Sequence, residues 1–118
     1  MNEQQFKDRT KQLALRVIRL ADALPPGRSA DVIGKQIVRS ATSVGANYRA
    51  ACRGRSDATM IAKLDIVLEE ADETFFWMEL LTEAGLISEA RVSDLMIETD
   101  EIVAMTVASL KTLRAKRM

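Results

Sequence analysis

The stretch QIVRSATSVGANYRAACRGRS, residues 36–56, decides how the rest of the chain is interpreted. At about 100° per residue, its apolar side chains fall on one side of a helix, together with Ile33 just upstream. Cationic side chains fall on the opposite side, and small polar side chains form a narrow row between the two. The pattern predicts a helix that packs on a core and keeps two other faces for further contacts.

These two other faces are each defined by a few residues. The basic stripe consists of the cationic side chains Lys35, Arg39, Arg49 and Arg53, with Arg55 just beyond them. The polar stripe consists of Gln36, Ser40, Ser43 and Asn47. Gly45 lies mid-helix, where glycine costs about 1 kcal/mol relative to alanine. We therefore expect another backbone to approach closely at this position, or the helix to bend there.

Three more amphipathic helices are predicted around this one, with approximate bounds 3–24, 29–53, 57–84 and 88–115 for all four. Prolines and glycines separate them, and Gly85 is placed to end the third helix. Ser29 and Ser88 are predicted to cap the second and fourth helices, and the third is predicted to start at Ser56 or Asp57. The third helix has core positions four and three apart from Met60 to Leu81. The fourth repeats the pattern at Val92, Met96, Thr99, Val103, Thr106, Leu110 and Leu113.

The composition fits a single all-α domain. The chain has 118 residues, 47% of them hydrophobic and 29% charged, and it is rich in strong helix formers. We find no strand pattern and no second domain. Four helices joined by short turns predict an antiparallel up-down four-helix bundle over residues 1–118.

Charge is unevenly distributed along a chain whose net charge is zero. Residues 1–56 carry eleven Lys/Arg against four Asp/Glu, a balance of +7, and residues 57–118 carry six against thirteen, a balance of −7. Such a chain can bind an anion on its basic half, or it can pair its two halves within or between subunits. The basic stripe is thus a candidate RNA-binding site, and pairing with the acidic third helix is the alternative.

The third helix also carries large apolar side chains away from its core stripe. Phe76 falls in the middle of the acidic side, and Ile66, Trp77 and Leu80 lie beside it. We call these four residues the apolar patch. Four large apolar side chains are too many to leave in water in a small domain. They are our candidate contact between subunits, whereas the polar stripe is expected to serve close helix packing.

Catalytic and metal-binding patterns are missing from the sequence. There is no histidine, so Ser-His and Cys-His pairs and the Glu-x-x-His motif of di-iron bundles are excluded. Cys52 falls on the apolar side of its helix, where an inert buried thiol is the usual state. We predict no enzyme, no metal and no cofactor. A single cysteine and the lack of a long apolar run favour the cytoplasm and no membrane span.

The second helix and its surroundings resemble the family of 23S ribosomal RNA intervening-sequence proteins, also called four-helix bundle proteins. The family pattern reads Q-[IL]-x-R-[AS]-A-x-S-[IV]-P-[AS]-N-I-A-E-G, with R-x-S before the third helix. This chain has Gln36, Ile37, Arg39, Ala41, Ser43, Val44, Ala46 and Asn47 in place, and Arg55 and Ser56 follow. The sequence departs from it at Gly45, Tyr48, Ala50 and Ala51, where proline, isoleucine, glutamate and glycine are usual.

The resemblance implies a four-helix bundle, often assembled as a ring of five. It also implies a link to ribosomal RNA insertions, and a related group of basic bundles is associated with nucleic acid and reverse transcriptase. We therefore predict a non-enzymatic, self-associating interaction or scaffold protein, pentameric by resemblance, that binds RNA or a nucleoprotein through the basic stripe. The alternative is a protein-partner adaptor without nucleic-acid contact.

Overall fold

In a computed structural model of the protein, which describes residues 2–117, the chain forms four helices. They are α1 (Glu3–Asp22), α2 (Arg28–Cys52), α3 (Asp57–Glu83) and α4 (Glu89–Lys116). No strand occurs within these described residues. The prediction of an all-α chain with four helices is confirmed.

Local sequence explains most helix ends. Asn2 caps α1 in a capping box, because its side chain accepts from the Gln5 backbone and the Gln5 side chain accepts from the Asn2 backbone. Ser56, one of the two residues predicted to start α3, is its N-cap and accepts a hydrogen bond from the Thr59 N–H at 3.2 Å. Ser88 is the N-cap residue of α4, although its side chain makes no capping hydrogen bond.

The predicted N-cap of α2 is wrong by two residues. The N-cap is Gly27, at φ 149° and ψ 158°, and Ser29 already lies inside the first turn. Residues with a side chain rarely adopt this φ, whereas glycine adopts it at no steric cost. The chain therefore enters α2 directly after the prolines, at the one residue able to make that turn.

The end of α3 follows the prediction for Gly85. This residue has φ 73°, its N–H donates to Thr82 O at 3.0 Å, and the Leu86 N–H donates to Leu81 O at 2.9 Å. Together these bonds form a Schellman motif, in which a left-handed glycine satisfies the last carbonyls of the helix. The turn directs the chain from α3 into α4.

The helices pack mainly against their neighbours in the sequence. α2 lies between α1 and α3, and α3 lies between α2 and α4, whereas α1 and α4 touch only sparsely. The bundle measures 49 × 22 × 20 Å. Each of the two central helices thus packs extensively against two neighbours, and the line where α1 meets α4 is a looser seam.

The core stripe of α3 is as predicted from Leu64 onward, and that of α4 is partly wrong. The buried side chains of α4 include Leu95 and Ile102, whereas Met96 and Val103 lie at the edge of the core. The main cluster of buried residues is Phe6, Leu13, Val17, Leu20, Ile37, Ala41, Val44, Val67, Ala71, Met78, Leu81, Val92, Leu95 and Ile102.

Gly45 lies where α2 crosses α1 closely. A Cβ atom built at this position would lie 3.5 Å from the carbonyl oxygen of Thr10, which is ordinary van der Waals contact. The Thr10 hydroxyl is itself fully buried and donates to Lys7 O at 3.1 Å. Of the two expectations for Gly45, close approach of another backbone is therefore the one observed.

Candidate functional site

The structure divides the basic stripe into two groups with different surroundings. Lys35 pairs with Asp31 on its own helix, at 3.2 Å. Arg39 reaches across to α3, where one terminal nitrogen lies 3.0 Å from Glu70 Oε2 and the other pairs with Glu73. These two cations therefore already have anionic partners within the chain.

Arg39 is held in place from both helices. Its Nε donates to Gln36 Oε1 at 3.2 Å, and its terminal nitrogens donate to Glu70 and Glu73. Burial opposes its charge, but the attraction of Glu70 and the hydrogen bond to Glu73 outweigh that effect and raise the pKa of Arg39. The side chain remains half exposed, so this ion-pair group is a modest contribution to the α2–α3 contact.

The remaining members of the basic stripe are solvent-exposed. Arg49, Arg53 and Arg55 have no carboxylate within 4.0 Å among residues 2–117. Arg49 also lines a groove of about 470 Å³ between α1 and α2, together with Lys7 and Lys11. The available cationic surface therefore extends from the end of α2 towards α1.

The polar stripe lies along the α3 side of α2, and its members differ in their partners. Ser40 is fully buried and accepts a hydrogen bond from Thr74 Oγ1 at 2.8 Å, which joins α2 to α3. Asn47 stays within its own helix, donating to the carbonyl and the hydroxyl of Ser43 at 2.9 Å each. Gln36 supports Arg39, as described above.

The apolar patch spans the outer side of α3. Phe76 is 48% exposed, and its ring meets that of Trp77 edge-on, with ring centroids 5.2 Å apart. The Trp77 indole N–H donates to Glu73 Oε2 at 3.0 Å, which fixes the orientation of the ring. Ile66 and Leu80 are partly buried. The patch is thus a rigid aromatic pair with smaller apolar side chains beside it.

Two exposed apolar side chains were missed by the sequence analysis. Val32 on α2 is 55% exposed and Ile97 on α4 is 60% exposed. Both lie far from the core positions of their helices at 100° per residue, so the helical period alone was a sufficient signal for them.

Cys52 is partly buried beside Tyr48 at one end of the bundle. Both line a largely apolar cavity of about 380 Å³, with Leu64 and Leu113 among its other walls. Burial is the main cause that raises the pKa of the Cys52 thiol and also that of the Tyr48 hydroxyl. A raised pKa keeps the thiol protonated, which is the less reactive form.

No group of three or more Cys, Asp or Glu side chains within residues 2–117 is arranged to hold a metal ion. None of the helices in this part of the chain is long and apolar enough to cross a bilayer.

Fold and surfaces together define a small all-α protein of four helices, counted over residues 2–117, with cationic side chains exposed on α2 and Phe76 exposed on α3 beside a partly buried Trp77. The chain belongs to the 23S rRNA-intervening sequence protein family, whose model matches residues 2–108. The resemblance stated from the sequence is therefore confirmed.

A solved structure is similar to this chain over nearly its whole length. It is a protein with unknown function from the S23 ribosomal protein family of Bacteroides thetaiotaomicron VPI-5482, determined at 1.70 Å. The two are 35% identical with a TM-score of 0.87, covering 94% of this chain and 99% of the other. No curated protein matches the chain.

Proposed function

We propose that this protein is a non-enzymatic interaction protein that self-associates through the apolar patch. The observation that carries the proposal is the exposure of Phe76 beside an oriented Trp77. Aromatic side chains dominate the energy of protein interfaces, because they bury a large area and lose little conformational freedom. The ring of five implied by the family resemblance is our proposed stoichiometry.

We also propose that the four helices run antiparallel in an up-down order, which places the apolar patch on one long side of the bundle. Side-chain contacts support this order. Phe6 near the start of α1 stacks on Tyr48 near the end of α2, at 4.4 Å between ring centroids. Arg114 near the end of α4 contacts Asp65 in the first half of α3 at 2.9 Å.

Self-association is tested by substituting the aromatic pair with charge. Phe76→Asp and Trp77→Asp are expected to lower the assembled mass in light scattering while the helical circular dichroism is retained. Ile97→Asp is the matched control, because Ile97 is an exposed apolar residue outside the patch. An unchanged mass for both patch variants, or an equal loss in the control, would refute the proposed interface.

A second proposed activity is RNA binding through the exposed arginines of the basic stripe. The observation in its favour is that Arg49, Arg53 and Arg55 lack carboxylate partners within residues 2–117. Arg49 also lines the groove that contains Lys7 and Lys11. Cations in this arrangement release counterions when they contact phosphates, so the binding should weaken steeply with salt.

The RNA activity is tested with nuclease-treated protein and a structured RNA over a range of salt concentrations. Submicromolar binding that is lost in Arg49→Glu and Arg53→Glu, and that falls with salt, is the expected result. Lack of binding at low salt would favour the alternative function, a protein-partner adaptor whose exposed arginines contribute to assembly.

A further inference from the structure

Three arginines meet at the seam between α1 and α4. Arg16 and Arg19 of α1 and Arg91 of α4 line one pocket of about 260 Å³, together with Leu20, Ile87 and Leu95. Leu20 and Leu95 are buried core residues, 8% and 5% exposed. The pocket thus has an apolar floor and a cationic rim contributed by two helices. We call it the arginine pocket.

None of the three guanidinium groups is neutralised by the chain within residues 2–117. No carboxylate in that range lies within 4.0 Å of any of them, although Asp94 is only three residues after Arg91. Asp22, three residues after Arg19, lines a different pocket, between α1 and α2. The positive charge of the arginine pocket is therefore left for another anion.

The same seam contains an arginine in the opposite situation. One terminal nitrogen of Arg9 lies 2.5 Å from Glu98 Oε1 and 3.5 Å from Glu101 Oε2, and the other donates to Met105 Sδ at 3.6 Å. The hydrogen bond to Glu98 is the main cause that raises the pKa of Arg9. One part of the seam is thus closed by an internal ion pair, whereas the other part gathers three cations without one.

The geometry points to a phosphate-binding site in the arginine pocket. Guanidinium groups form paired, charge-assisted hydrogen bonds to phosphate oxygens, and like charges that converge on one pocket are relieved when an anion binds between them. The apolar floor lowers the local dielectric, which strengthens those contacts. The phosphate comes either from a small free polyphosphate or from the end of an RNA strand.

Titration with inorganic pyrophosphate at low salt, followed by calorimetry and by the rise in unfolding temperature, tests the site. Because a ligand that binds the folded state raises its stability, wild-type protein should show saturable binding and a higher unfolding temperature. Arg91→Gln, and Arg16→Gln with Arg19→Gln, are expected to weaken pyrophosphate binding about tenfold or more. Arg117→Gln removes an exposed arginine elsewhere and should leave the affinity unchanged.

A second titration separates the two sources of phosphate. If a 5′-phosphorylated RNA oligonucleotide binds more tightly than its dephosphorylated form, and the pocket variants abolish that difference, the strand end is the ligand. If the variants affect only pyrophosphate, the ligand is a free polyphosphate.

Any one of the following results would overturn the inference. They are an absence of pyrophosphate binding at low salt, equal weakening in Arg117→Gln, and full affinity in the pocket variants. A loss of assembled mass in the pocket variants without any pyrophosphate binding would likewise overturn it, since the anion would then be a carboxylate of another subunit. The site does not depend on the basic stripe, so Arg49→Glu should leave pyrophosphate binding intact.

Discussion

The hydroxyl of Ser40 accepts a hydrogen bond from the hydroxyl of Thr74 inside the core, at 2.8 Å, and this bond links α2 to α3. Ser40 Oγ also donates to Ile37 O at 3.2 Å, and Thr74 Oγ1 lies 2.8 Å from Glu70 O. The Thr74 hydroxyl has a single proton, which Ser40 Oγ and Glu70 O share, whereas the Ser40 proton goes to Ile37 O; each buried hydroxyl therefore has a hydrogen-bond partner.

We predict that Ser40→Ala and Thr74→Val each lower the free energy of unfolding by about 1 kcal/mol. In the double variant the loss should be smaller than the sum by about 0.5 kcal/mol or more, because the two hydroxyls act on each other. Urea unfolding of the wild type, the two single variants and the double variant measures this coupling. Thr106→Val is the control, since that hydroxyl donates only to Ile102 O in its own helix. Strict additivity would show that the contact between the helices contributes nothing of its own.

We predict that Gly85→Ala destabilises the protein by about 1 kcal/mol, because φ 73° places a Cβ against the following carbonyl. Gly85→Asn should lose less, since asparagine tolerates the left-handed region better than alanine. Chemical denaturation at equilibrium distinguishes the two. Equal stability of Gly85→Ala and wild type would mean that the turn after α3 adopts another conformation.

For Gly45 we predict the opposite sign. Gly45→Ala should raise the free energy of unfolding by up to about 1 kcal/mol, because alanine restricts the unfolded chain and its Cβ fits against Thr10. Gly45→Leu should destabilise, as the larger side chain would push α1 away. The same denaturation series reads both variants. A loss of stability in Gly45→Ala would show that α1 and α2 pack more tightly than described.

Arg39→Gln should cost about 0.5 to 1 kcal/mol at low salt, and less at high salt, since its ion pairs with Glu70 and Glu73 are half exposed to solvent. Lys35→Gln should cost less, because both Lys35 and Asp31 are largely exposed. RNA affinity should fall less in Arg39→Gln than in Arg49→Gln, as Arg39 is already paired. A larger effect of Arg39 on RNA would shift the proposed binding surface towards α3.

Stability should fall in alkaline solution through two groups whose pKa is raised on folding. Burial favours the neutral thiol of Cys52 and the neutral phenol of Tyr48, whose ordinary pKa values are 9.0 and 10.0. Their contribution is complete below those values and is lost as the pH rises above them, because only the unfolded chain ionises freely there.

Cys52→Ala should therefore reduce the loss of stability that begins near pH 9.0. Tyr48→Phe should reduce the loss of stability that begins near pH 10.0. Unfolding by urea across that range gives both slopes relative to wild type. A parallel decline in all three proteins would assign the alkaline sensitivity to other groups.

Sequence patterns located the helices well, but they were weaker at predicting which side of each helix faces the core. The core positions of α3 were predictable because a single row of apolar or small side chains, from Leu64 to Leu81, lies on the side that faces the bundle. In α4, Leu95 and Ile102 compete with Met96 and Val103, and helical periodicity does not choose between adjacent rows. The choice is made by α1 and α3, whose positions follow from packing.

Contacts between helices were the part that sequence could not supply. The sequence offered pairing of the basic stripe with the acidic third helix as an alternative, but it could not identify the partners. Arg39 pairs with Glu70 and Glu73 because of the register of α2 against α3, which only the packed structure defines. Likewise, Arg16 and Arg91 are distant in the chain, and nothing in their local patterns predicts that they share a pocket. The apolar patch and the RNA surface stay predictions.

The looseness of the α1–α4 seam has a consequence for how the molecule forms and moves. Because most of the packing joins helices adjacent in sequence, the chain can fold as a series of neighbouring helix pairs, and a topology dominated by such local contacts folds quickly. Closure of α1 on α4 adds little to that series and is the step most easily reversed. Hydrogen exchange should therefore report transient opening along this seam while the amides of α2 and α3 stay protected. The arginine pocket lies between the two helices that separate first.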